Sequence, residues 1–209
     1  MDTRDSRWLV WTGPVFTVLF YAAIFGLEGS TPGEKDSAKS VTAYYNSHQG
    51  RGMAEVFLTP LLVLLLVLFV SHVRTLARIA AGGTGSGPTV MVSGAILWGA
   101  GMLVGSLLGL ALLSSAHHGQ DQVAQTVNVM NAAGWVPFIA GIAVTLVGAG
   151  MTVLATGLLP RWMGWVAVVA GVISLAGPGG FLGFWVGPIW MLVAGILLAR
   201  RTTVAPAVA

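Results

Sequence analysis

The chain has no cysteine among its 209 residues, and only 8% of them are charged. The first absence excludes disulfides, thiolate metal sites and a cysteine nucleophile. The second excludes a water-soluble domain, whose surface takes about 25% charged residues. With 56% hydrophobic residues and a mean hydropathy of +0.84, the chain uses lipid as its solvent. Phosphate-neutralising basic clusters are missing too, and the formal charge is only +3, so nucleic acid is not an expected partner. The opening "MDTRDSRWLVWTGPVFTVLFYAAIFGLEGS" has an apolar run too long for a signal-peptide core and no A-x-A site after it, and reads as a retained first span.

What is present is a series of apolar runs at about 8–27, 54–73, 90–114, 134–156, 162–177 and 181–199. Each approaches the length of about 20 residues that a spanning helix needs. They predict one domain over 1–209, an all-α bundle of six transmembrane helices. The "GPGG" cluster at 177–180 separates the last two. With the N-terminus inside, six spans put Arg4, Arg7, Arg74, Arg78, Arg161, Arg200 and Arg201 inside, against Lys35, Lys39 and Arg51 outside. That is the sense of the positive-inside rule, and it predicts cytoplasmic N- and C-termini.

Two outer segments are long enough for structure of their own. "DSAKSVTAYYNSHQ" predicts a short helix. Residues 115–133 read as amphipathic, with Val123, Val127 and Met130 on one face and Asp121, Gln125 and Asn128 on another. "AAGGTGSGP" at 80–88 is a linker. Gly101, Gly105 and Gly109 recur every four residues and predict a close helix–helix contact. Pro60, Pro137 and Pro188 fall within or near spans, where each removes a backbone donor.

The most informative ionisable residue is Glu55, at the start of an apolar run. Arg51, His48 and Tyr44 precede it by four, seven and eleven residues. On a continuous helix all four share one stripe, which Gly50 or Gly52 would interrupt. One reading is a first-turn glutamate facing the helix dipole beside an interfacial Arg51. The other turns Glu55 into the bundle, where a carboxyl group taken out of water favours its protonated form and donates a proton. On that reading Tyr44, Tyr45, His48 and Asp121 assist Glu55. Arg51, Trp98, Asn131, Phe184, Trp185 and Trp190 contact an apolar ligand, with aromatic ring faces available to a cation. His117, His118 and Asp121 lack metal-ligand spacing, and no paired intramembrane histidines accompany His72, so neither metal, haem nor another cofactor is expected. Trp8, Trp11, Trp135, Trp162 and Trp165 fall where interfacial belts form.

"VTAYYNSHQGR" and "GLLPRWMGW" resemble small uncharacterised multi-pass membrane proteins of actinobacteria. The resemblance implies a helical bundle in a bacterial plasma membrane. In size and hydrophobicity the chain also resembles integral-membrane terpene cyclases, whose membrane-embedded carboxylic acids protonate an alkene or epoxide of a prenylated substrate. That likeness implies acid-initiated chemistry at Glu55, with Asp121 behind it, on an isoprenoid or lipid-like substrate. A non-catalytic membrane component is the other function class, since the small-residue faces also allow a homo-oligomer or a complex subunit.

Overall fold

The computed structural model describes residues 7–28, 31–80, 85–176 and 179–204. Among them the regular structure is entirely helical. A 3₁₀ turn, Arg7–Trp11, leads into α1 (Thr12–Ala23), which ends in a π-turn, Ile24–Glu28. Then follow α2 (Ala38–Ser47), α3 (Gln49–Ala80), α4 (Gly87–His117), α5 (Asp121–Ala133), α6 (Trp135–Thr156), α7 (Arg161–Ser174) and α8 (Gly180–Val204). Arg4, residues 81–84 of the expected linker, and Gly177 and Pro178 of "GPGG" lie outside the described residues.

Five stretches are long and apolar enough to cross a membrane: Trp8–Leu27, Gln49–Ala80, Gly87–His117, Asp121–Thr156 and Gly180–Arg201. The remaining apolar helix, α7, has 14 residues, about 21 Å of helix against a hydrocarbon core of about 30 Å. Its path is nevertheless long. Gly164 lies against Leu154 and Gly150 of α6, and Gly171 against Ala143 and Val147, so α7 runs antiparallel to α6. The next helix begins with Gly180 beside Trp135 and Ile139, near the start of α6.

The α4–α6 pair forms the spine. Gly87 faces Thr152, Gly94 faces Thr145, and Gly101 faces Phe138, while from the other side Gly141 faces Trp98 and Gly148 faces Met91. Each advance along α4 is matched by an equal retreat along α6, so the register holds over two full heptads. A Cβ added at Gly94, Gly141 or Gly148 would fall onto the partner's backbone. This is knobs-into-holes packing with glycine as the hole, and it brings backbones together where lipid offers no hydrophobic drive. The contact therefore runs on a seven-residue glycine period. Of the expected four-residue stripe only Gly101 takes part; Gly105 and Gly109 face open space.

Two prolines interrupt spanning helices, and each break is closed by a neighbouring hydroxyl. Pro60 in α3 leaves the Val56 carbonyl without its helical donor, and Ser106 Oγ of α4 reaches that oxygen at 3.4 Å. Pro188 in α8 likewise frees the Phe184 carbonyl. Tyr21 of α1 donates there at 3.5 Å and to the adjoining Trp185 carbonyl at 2.9 Å. Thr17 of α1 donates to the Pro188 carbonyl at 2.6 Å. Backbone groups in lipid have no water to turn to, so these side chains are the means of satisfying them.

The start of α1 and the end of α8 lie together, with Val10 beside Gly195. Arg201 donates to the Leu158 carbonyl in the α6–α7 turn. The opposite end is capped by α2 and α5. Ser37 caps α2 by accepting the Ser40 N–H. Val41, Leu112 and Ala124 form a small core between α2, α4 and α5. The buried face of α5 carries Ala124 and Asn128, with Val127 packed against the small core, whereas Val123 and Met130 are about half exposed. The cause is hydrogen bonding: Asn128 donates to the Pro32 and Gly33 carbonyls, and Gln125 to the Glu34 carbonyl, so the polar face holds the preceding loop.

Gly141→Val should lower the thermal midpoint in detergent, with an overpacking cost of about 1–3 kcal/mol or more, while Gly105→Ala, whose added methyl meets nothing, should leave it unchanged. Tyr21→Phe should cost about 1–3 kcal/mol by orphaning carbonyls in α8. Equal midpoints for Gly141→Val and Gly105→Ala would contradict the assigned seam.

Candidate functional site

Between α1, α3, α4, α6 and α8, beneath the cap, lies a partly open cavity of about 380 Å³. That is near the lower end of the range of about 300–1,000 Å³ found for small-ligand sites. Its existence follows from the spine. The glycine seam fixes α4 against α6, and Gly105 and Gly109, on the part of α4 beyond the seam, have no side chains to fill the space beside α3. Gly52 lets α3 close on α4 near the mouth, where an added Cβ would meet the Leu113 side chain at 2.8 Å.

The lining changes character along its length. At the capped end stand Tyr44, Tyr45, His48, Arg51, Glu55 and Asn131. The helix does break in this stretch, but at His48 (φ −115°, ψ 19°); α3 then runs unbroken through Gly50 and Gly52. The His48 ring stacks on Tyr44 at 4.3 Å between centroids and 19° between planes. Tyr44 meets Tyr45 edge-on at 5.3 Å. The corner is held from α4: Asn46 donates to the Ala116 carbonyl, and the Gln49 amide lies 3.1 Å from His117 Nδ1. Glu55 is half-buried and one helical turn beyond Arg51.

Deeper in, the polar groups turn away from the space. Thr59 Oγ1 donates to the Glu55 carbonyl and Ser106 Oγ to that of Val56. The floor is a cluster of three phenylalanines, Phe20, Phe138 and Phe184, with centroids 5.6–6.3 Å apart. Phe20, Phe138 and Ser106 were not singled out from the sequence. Phe138 and Ser106 each adjoin a sequence irregularity, Pro137 and the lining Gly105, whereas nothing in the sequence marks Phe20.

The cavity thus gathers Glu55, Tyr44, Tyr45, His48, Arg51, Asn131 and Phe184, and leaves four other candidates outside its lining. Asp121 begins α5. Trp98 is buried behind Phe138, edge-on to it at 6.2 Å and to Phe16 at 5.3 Å. Trp185 is 45% exposed and stacks on Tyr21 and Phe25. Trp190 is buried and donates its indole N–H to the Met163 carbonyl, joining α8 to α7. Among the described residues no group of three His, Asp or Glu is placed to hold a metal ion. The His118 ring lies 2.8 Å from the Ser114 carbonyl, perpendicular to His117.

Ser106→Ala should cost about 1 kcal/mol of stability by orphaning the Val56 carbonyl; Ser106→Thr, which restores a hydroxyl, should recover most of it, and equal midpoints for Ala and Thr would remove the bond from the account. Comparison with known proteins finds no family, no characterised protein and no solved structure that matches this chain.

Proposed function

We propose that this chain is an intramembrane enzyme acting on an isoprenoid or other lipid-like molecule in the cavity, with Glu55 as general acid. The observation that carries the reading is a carboxyl group lining a cavity that ends, below it, in a three-ring aromatic floor. A proton passes from the Glu55 carboxyl to an alkene carbon or an epoxide oxygen. The resulting cation is captured by an internal double bond, then loses a proton from carbon, so the net reaction is an isomerisation. Ring faces at the floor stabilise positive charge, and the apolar wall below Glu55 keeps water from quenching it. The terpene-cyclase likeness fits this chemistry without Asp121, which is not part of the lining.

Glu55→Gln should reduce turnover of linear prenyl alkenes and epoxides by about 10²–10⁴-fold, read as loss of a product of unchanged mass and altered retention in gas chromatography, with the thermal midpoint preserved. Turnover at the wild-type rate in that variant would remove Glu55 from the mechanism. A second reading has its own support: Arg51 stands one turn from Glu55 in the same lining, an arrangement suited to holding a polar head in a non-catalytic binding protein. Wild-type protein that retains a lipid and turns over none of these substrates would favour it.

For topology we propose six passes of a bacterial plasma membrane, with the end carrying both termini cytoplasmic. Arg74, Arg78, Arg161, Arg200 and Arg201 cluster toward that end, as the positive-inside rule asks. Because the chain has no native cysteine, single replacements report sidedness directly. An impermeant maleimide should reach Lys35→Cys and Ala176→Cys from one side and Arg161→Cys from the other; labelling of positions 161 and 176 from the same side would make α7 re-entrant.

A further inference from the structure

The shape of the cavity specifies its occupant more narrowly than its position does. Lining residues on α3 run from Arg51 to Leu62, and those on α4 from Leu113 to Gly101, a length of about 16–18 Å along the bundle at 1.5 Å per residue. An elongated cavity of this kind suits a chain-like occupant lying along the bundle. Among the lining glycines, room for a larger side chain remains at one place. Gly105 and Gly109 are lining positions where an added Cβ meets nothing, whereas Gly52 and Gly101, also in the lining, are already in contact.

The two ends differ in chemistry. The inner end is aromatic and aliphatic. The outer end offers a guanidinium, an imidazole, a carboxyl group, two phenols and an amide, and a second, more open hollow lined by Ser47, His48, Gly50 and Arg51 shares two of these residues with the cavity, the guanidinium and the imidazole at its outermost edge. Arg51 and His48 therefore stand where the tube meets the outside. A guanidinium at a partly open mouth is suited to planar, multidentate recognition of an anionic oxygen group.

We infer that the ligand is an amphiphile with an anionic head and a hydrocarbon chain. The head lies at Arg51 and His48, and the chain passes Gly109 and Gly105 to end on Phe138 and Phe184. This rests on the cavity being the functional site and deepens that reading.

The test uses the full-length protein in lipid nanodiscs and a dodecyl phosphate carrying a diazirine at the chain end. Crosslinks mapped by peptide mass spectrometry should fall on the α4, α6 and α8 segments around Gly105, Phe138 and Phe184. The matching dodecanol probe should label at least tenfold less. Inorganic phosphate should not displace the probe. Arg51→Gln should cut labelling by the phosphate probe about tenfold, with Arg51→Lys intermediate. Gly105→Leu should abolish labelling, and Gly105→Ala should diminish it without altering the thermal midpoint. Equal labelling by the alcohol would overturn head recognition. Displacement by inorganic phosphate would overturn the amphiphile and make the mouth a plain anion site, and crosslinks confined to outer surfaces would overturn entry altogether. Repeating the labelling in Glu55→Gln separates this inference from the proposed chemistry: retained labelling with lost turnover supports both, and retained labelling with unchanged turnover removes only the acid.

Discussion

The backbone-to-backbone contact of α4 with α6 is the constraint from which the rest of the architecture follows. In lipid, apolar side chains gain nothing by leaving their solvent, so helices must associate through dense packing and hydrogen bonds. Glycines at 87, 94 and 101 on one helix and 141 and 148 on the other supply that density. Once the pair is locked, the remaining length of α4 projects toward the capped end, and its next two glycines are left without a partner. The same residue type thus makes both a backbone-close contact and part of the open space of the cavity. Only its phase relative to the seven-residue period separates the two roles.

Polar groups follow a related logic. Where a helix is broken by proline, the orphaned carbonyl is met by a hydroxyl from a different helix: Ser106 for α3 and Tyr21 for α8. Both repairs lie beside the cavity, since Val56, Ser106 and Phe184 line it. The irregular backbone around the site is therefore held by specific bonds rather than left loose, and the side chains that project from it keep a defined direction. At the capped end the roles invert. There the backbone is a surface loop, and it is held by the amides of Asn128 and Gln125.

Five of the six expected apolar runs as helices long enough to span, and the short helix over 38–47, were legible from hydropathy and punctuation alone; the sixth run forms the shorter α7, and Trp8, Trp11, Trp135, Trp162 and Trp165 are exposed. The stripe through Tyr44, His48, Arg51 and Glu55 was legible as a spacing, and these residues do share one lining despite the break at His48. What composition left open was the direction of the faces. Of the three residues expected to share one side of α5, Val127 packs on the small core while Val123 and Met130 are exposed, because Asn128 turns to the loop. Trp98, Trp185 and Trp190 were all expected at the ligand, yet each large indole found a different neighbour: Phe16, Tyr21 and the Met163 carbonyl. In a chain that is apolar all round its helices, periodicity cannot separate lipid-facing from bundle-facing positions, so rotation about each axis is the quantity that sequence leaves open.

Pro60 divides α3 at a telling height. The residues that make the mouth, Arg51 to Val56, precede it, and Leu62, which reaches the floor, follows it. A rod lacking one rung bends most easily at the gap, and the Ser106 hydroxyl that bridges it at 3.4 Å is a longer bond than the helical one it replaces. Any widening of the entrance is then a swing of the upper third of that rod, pivoting at the level of Ser106, while the aromatic base and the glycine-locked spine stay still. The protein has, in effect, a stiff socket with a compliant lip.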